Sequence, residues 1–223
     1  MKSDWLGLVW TYLFLFGVVF AGEAIRKIKA WPSEFTRKCI HIGVGFWGFI
    51  AFFAIRSMSV VVIPPLSFVL INFLSYKWTL FPSMEIEDKR NLGTVYYPLS
   101  MFILVLLFWR GETRIVPIIG SMVMGLGDGF ASIVGKKWGR RVYRIWRHPK
   151  TLEGSLAMGI ASFVAVAGVL FTMTGLPVPD ITLRALVIAS LAAVIEGLSP
   201  WGLDNLTVPL GSGISYWLFY LNM

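Results

Sequence analysis

Cysteine and histidine are almost missing from this sequence, with one Cys39 and two histidines in 223 residues. That excludes an internal disulfide and any metal site built from clustered Cys and His. Charge is scarce as well, at 14% against 57% hydrophobic residues, which is more apolar surface than one soluble core of this length can hide. Acids are the scarcer sign, twelve against twenty lysines and arginines, for a formal charge of +8. A soluble nucleic-acid binder would not carry so much aliphatic surface, so the basic excess fits anionic lipid or a phosphorylated substrate and not nucleic acid. No internal repeat, low-complexity tract or linker interrupts the chain, and residues 1–223 read as a single polytopic membrane domain.

What is present is a series of apolar runs. A helix needs roughly 20 apolar residues to cross the hydrocarbon layer. Eight runs qualify or nearly so, at about 5–22, 39–55, 58–76, 94–109, 115–135, 155–176, 182–198 and 206–222. The expected fold is therefore an all-α, multi-pass integral membrane protein of about eight transmembrane helices, its first run a retained span and not a cleaved leader. Lysines and arginines number fifteen on the odd-numbered connections and five on the other side, which predicts that both termini lie outside and the odd connections in the cytosol. Within connection five, Trp138, Val142, Ile145 and Trp146 share one helical face. Lys136, Lys137, Arg140, Arg141, Arg144 and Arg147 take much of the rest, the pattern of a short amphipathic basic helix on anionic headgroups.

Four sequence-distant polar patches fall on that same cytosolic side. They are Glu34 with Arg37, Lys38 and His41; Arg90 with Asn91; the stretch from Asp128 to Glu153; and Glu196 with Asp204 and Asn205. Asp128 stands between Gly127 and Gly129 at the end of an uncharged run, and an acid inside a membrane segment is costly enough to be functional by default. It reads either as a structural partner of a neighbouring lysine or as a ligand of Mg²⁺, a hard cation that takes one or two carboxylates while it holds phosphates. Gly127, Ala131, Gly135 and Gly139 recur every four residues, a stripe that serves as a helix-packing seam, as a floor under a ligand, or as both. The even-numbered spans point their amide-rich N-termini at the shared face, where anions are stabilised. Thr151 and either Asp204 or Asn205 are the expected caps of the sixth and eighth. Soluble nucleotide signatures fail, because both the P-loop spacing and the dinucleotide pattern require glycine where Phe130 stands.

These blocks resemble the CTP-dependent polyprenol, dolichol, phytol and diacylglycerol kinases, distant relatives of the phosphatidate cytidylyltransferases. That family's nucleotide motif has the form D-x-x-A-x-x-x-G-x-x-x-G, a short spacer, then K-K-T-x-E-G. The chain shows Asp128, Ala131, Gly135 and Gly139, then Lys150, Thr151, Glu153 and Gly154, with Pro149 in place of the first lysine and a spacer one residue longer. Gly93 to Pro98, Arg37-Lys38 with His41, and Glu196 with Asp204-Asn205 resemble further family blocks, so the likeness spans about residues 34–210. The basic segment and glycine-histidine-glycine motif of the cytidylyltransferases do not follow Asp204, which favours a kinase.

The resemblance implies transfer of the terminal phosphoryl group of CTP, or another nucleoside triphosphate, to a membrane lipid alcohol such as phytol, geranylgeraniol or a polyprenol. Diacylglycerol is the second choice of acceptor, a cytidylyltransferase-like reaction or a small transporter the alternative activity. It implies Mg²⁺ on Asp128 with Glu153 or Asp204, phosphate neutralisation by Lys150, and a base at Asp204 or Asp128. Nucleotide contacts are expected at Gly127, Gly129, Ala131, Gly135, Lys136, Gly139, Thr151, Glu153, Gly154 and Ser155. Arg37, Lys38, His41, Arg90, Asn91, Glu196 and Asn205 are further candidates.

Overall fold

The computed structural model describes residues 2–78, 80, 91–145 and 148–221. They form an almost wholly helical membrane protein, as expected where lipid offers backbone groups no hydrogen-bond partners. In chain order the helices are α1 (Lys2–Lys29), α2 (Ser33–Gly45), α3 (Trp47–Ala54), α4 (Met58–Val61), α5 (Ile63–Trp78), α6 (Gly93–Phe108), α7 (Ile115–Met122), α8 (Gly129–Trp138), α9 (Leu152–Met173), α10 (Val178–Leu198) and α11 (Asp204–Leu221). A π-helical segment, Val123–Asp128, joins α7 to α8.

Among the described residues, five helices are long and apolar enough to cross a membrane, over 3–29, 58–78, 111–138, 152–173 and 178–198. The expected count of eight is not confirmed among the described residues. The run at 39–55 is divided at Phe46 into α2 and α3, and α6 has only 16 residues. The helix that carries the eighth run, α11, begins two residues earlier with Asp204 and Asn205 and contains Pro209, which lowers its apolar content.

The 111–138 helix lies at the centre. Some 67% of its most apolar window is buried, against 22–39% in the other four, and Val116, Ile118, Ile119, Val123 and Met124 are fully enclosed. Since lipid tails are as apolar as leucine, helices here associate by close packing and interhelical hydrogen bonds. The small-residue stripe is such a seam. A Cβ on Gly127 would lie 2.8 Å from Met158 Sδ, and one on Gly154 would lie 3.0 Å from the Ala131 carbonyl, so α8 and α9 meet nearly backbone to backbone. A second close crossing sets α2 on the π segment, where a Cβ on Gly125 would lie 2.7 Å from Gly45 Cα. Ser121 Oγ donates to the Gly45 carbonyl at 2.7 Å beside it.

Among the described residues the expected amphipathic basic helix does not form. Lys136 to Trp138 complete α8, and Val142–Ile145 and His148–Thr151 form an antiparallel hairpin, with Val142 opposite Thr151 and Ile145 opposite His148. Gly139 ends α8 in extended backbone, Val142 and Ile145 are β-branched, and Pro149 cannot continue a helix. Side chains alternate between exposed and half-buried along Val142–Ile145, the period of a strand. Trp146 and Arg147 of the expected helix lie outside the described residues.

Candidate active site

The close crossing at Gly45 and Gly125 determines what lies beside Asp128. With α2 pressed onto the π segment, His41 and Lys38, one and two turns before Gly45, reach the carboxylate. Lys38 Nζ donates to Asp128 Oδ2, and His41 Nε2 stands 3.6 Å from the same oxygen. All three side chains are buried, Asp128 only 3% exposed. His41 is held by the Tyr97 ring, stacked on it at 4.4 Å between centroids, and the Tyr97 hydroxyl donates to the Ser121 carbonyl at 3.0 Å. The widening to π-helical hydrogen bonding at Val123–Asp128 is a feature frequent at functional sites.

Two further acids complete the cluster. Glu196 comes from the last turn of α10 and Asp204 from the first residue of α11, so the short link between those helices brings both to Asp128. One oxygen of each of the three carboxylates lies within 4.8 Å of the others. Lys150, at the end of the hairpin, reaches in from the opposite side. Its Nζ lies 2.6 Å from Glu196 Oε1 and 3.9 Å from Asp204 Oδ2, and it also donates to the Glu196 carbonyl. Burial alone would depress the Lys150 ammonium, but the Glu196 and Asp204 carboxylates outweigh it and hold the group above the ordinary lysine value. Glu196 Oε2 is buried with no hydrogen-bond partner among the described residues. An oxygen-only donor set with one orphaned carboxylate oxygen fits a hard divalent cation.

An open polar basin of about 1260 Å³ lies over the cluster. Of the residues singled out from sequence, it brings together Arg37, Lys38, Asn91, Asp128, Ala131, Gly135, Lys136, Lys150, Thr151, Gly154, Ser155, Glu196, Asp204 and Asn205. Thr151 caps α9, its hydroxyl accepting the Gly154 amide at 3.1 Å. Asp204 Oδ1 accepts the amide and side-chain nitrogens of Asn205 at 2.9 and 2.8 Å, which fixes the plane of its carboxylate. Asn91 Oδ1 accepts the Gly93 amide at 2.9 Å at the start of α6. Lys136 pairs with Glu34 across the rim.

Several candidates fall elsewhere. Gly127, Gly129 and Gly139 do not line the basin; they are spent on close packing against Met158, Ile42 and Thr151. Glu153 does not join the carboxylate cluster. Its oxygens accept the Arg140 and Arg141 amides at 3.1–3.3 Å and so tie the loop after α8 to α9. Glu196 stands in the cluster where Glu153 was expected. Arg90 lies outside the described residues. Tyr97 was not singled out individually, and an aromatic inside an apolar run gives no sign of the histidine it stacks on.

No family profile matches the chain, and no solved structure matches it. Curated proteins do. A phytol kinase of Synechocystis sp. (strain ATCC 27184 / PCC 6803 / Kazusa) is 37% identical over 216 residues, covering 95% of this chain and 90% of the relative. A probable chloroplastic phytol kinase of Triticum aestivum is 29% identical over 229 residues, 93% of this chain and 74% of its own. The chloroplastic farnesol kinase of Arabidopsis thaliana is 26% identical over 219 residues, 90% and 70% of the two chains.

Proposed function

The chain belongs to the polyprenol, phytol and farnesol kinase family, and from that premise we propose that it transfers the terminal phosphoryl group of a nucleoside triphosphate, CTP first among them, to an isoprenoid alcohol in the membrane. The observation that carries the reading is the meeting of Asp128, Glu196 and Asp204 with Lys38 and Lys150 under one polar basin. Each carboxylate stretch of the cluster is now balanced by a lysine. A bound Mg²⁺ on these three acids would take over that balance and supply charge neutralisation on the phosphates. Lys38 and Lys150 would then be free to turn their ammonium groups to phosphate oxygens, where charge-assisted bonds are strong.

Phosphoryl transfer asks mainly for positioning and charge stabilisation. The alcohol oxygen forms a bond to the terminal phosphorus as the bond from that phosphorus to its bridging oxygen breaks. The electron pair leaves with the nucleoside diphosphate, and the hydroxyl proton passes to Asp128 or Asp204. Lys150 and Lys136 hold the triphosphate, and the tight α8–α9 seam fixes the start of α9 beside it. The basin faces the cytosol in this reading, which the excess of lysine and arginine on that side supports. Lys137, Arg140, Arg141 and Arg144, all exposed on and around the hairpin, would rest on anionic headgroups.

The test is purified protein in detergent with Mg²⁺, each of the four nucleoside triphosphates, and phytol, geranylgeraniol, farnesol, a polyprenol or diacylglycerol. The reading expects phosphorylated isoprenoid alcohol, fastest with CTP. Phosphorylation of diacylglycerol alone would move the protein to another acceptor class.

A further inference from the structure

A second cavity adjoins the polar basin. It spans about 660 Å³ with the open space at its mouth included, and is walled by α1, α2, α3, α5 and α6. Its lining changes character in one direction. On α2, Arg37 and His41 give way to Val44 and, past Phe46, to Trp47; on α6, Thr94 gives way to Tyr97, Pro98 and Met101. From Thr94 to Met101 the helix rises about 10 Å. Asn72 of α5 marks the polar end too, since its Nδ2 donates to the Thr94 carbonyl at 2.7 Å.

That polar end abuts the acid cluster. Arg37 lines both cavities, and His41 Nε2 is the atom 3.6 Å from Asp128 Oδ2. Here Arg37 Nε, His41 Nε2 and Asn72 Oδ1 are buried with no hydrogen-bond partner among the described residues. His41 and Asn72 are only 9% and 5% exposed. At the far end the one such atom is Trp47 Nε1. Buried polar atoms are nearly always paired, so a group of orphans at one end of an apolar cavity points to a ligand with one polar head and a hydrocarbon tail.

We propose that this cavity seats the acceptor, its isoprenoid chain running along α5 and α6 toward Trp47 and Met101 and its hydroxyl hydrogen-bonded at His41. The assignment rests on the kinase reading. It makes α2 the divider of the active site, with the triphosphate in the basin on one side and the lipid on the other. They meet across the turn that carries Lys38 and His41. Met101, Phe68 and Leu15 then set which chain lengths fit.

Leu15→Phe and Met101→Phe should fill the far end, and Met101→Ala should enlarge it. The filled variants should lower kcat/KM for geranylgeraniol relative to geraniol by about tenfold or more, the scale on which an apolar pocket discriminates. The KM for the nucleotide should stay unchanged. If both filled variants fail to fold, Met101→Ala carries the test by shifting preference to the longer alcohol. A photoactivatable geranylgeraniol analogue should label peptides covering residues 64–72 and 94–101, whether or not turnover is seen. Chain-length ratios within about twofold of wild type, or label confined to other helices, would overturn the assignment. Wild-type protein that phosphorylates no alcohol would instead overturn the kinase reading.

Discussion

Asp128→Asn keeps the shape of the side chain and removes its charge, and two separable losses follow. The first is structural. Lys38 is 7% exposed and its ammonium is paired with Asp128, so the variant strands a buried cation. Removing one partner of such a pair costs about 3–5 kcal/mol. The second is chemical. Loss of one preorganised charged group at the reacting phosphate lowers turnover by about 10²–10³, or about 2.7–4 kcal/mol. Adding Lys38→Met to Asp128→Asn removes the stranded cation without restoring the carboxylate. Thermal melting in detergent should therefore fall for the single variant and recover most of the way in the double. Phosphoryl transfer, measured on the same preparations at saturating nucleotide, should lie about 10²–10³ below wild type in the single variant and no higher in the double, which also lacks the ammonium that Lys38 would turn to phosphate. A double variant that regains both stability and turnover would reduce Asp128 to a structural partner of Lys38 and refute its role at the phosphate.

The geometry makes further predictions. Glu196→Gln should cost about 10²–10³ in turnover, because it removes a member of the carboxylate cluster, whereas Glu153→Gln should loosen the loop after α8 and cost under about tenfold; equal losses in kinetic assays would contradict the assignment. Gly125→Ala should prevent the α2 crossing, because its Cβ would lie 2.7 Å from Gly45 Cα, and should lower both folded yield and melting temperature. Gly168→Ala, whose Cβ would meet nothing within 4 Å, is the control and should leave both unchanged.

Local signals carried the reading a long way. Asp128, Lys150 and Thr151 were identifiable because an acid in an apolar run, a lysine at a span start and a capping threonine are each unusual in place. The four-residue stripe from Gly127 to Gly139 was visible as a pattern, but its main use as a seam depends on α9 lying against it. The partners of Asp128 were harder to see. Arg37, Lys38 and His41 recur at helical spacing, yet only the Gly45–Gly125 contact brings them to a carboxylate some 90 residues away. Glu153 sits inside the motif and Glu196 far from it, so proximity in sequence points to Glu153, whereas the fold brings Glu196 to the cluster. Over the hairpin the helical period of Trp138, Val142, Ile145 and Trp146 competes with Pro149 and the β-branched Val142 and Ile145, and the strand signals prevail. The break at Phe46 falls in a run whose hydropathy is continuous over 39–55; the glycines around it, Gly43, Gly45 and Gly48, mark it where hydropathy does not.

The most direct measurement of the central claim is label transfer from CTP by the purified protein with Mg²⁺ and phytol or geranylgeraniol. If Asp128, Glu196, Asp204 and Lys150 hold a nucleotide for transfer of its terminal phosphoryl group, label at the γ-phosphate enters the lipid and label at the α-phosphate stays with the nucleotide. Lipid that takes up the α-label, or neither label, would contradict the account.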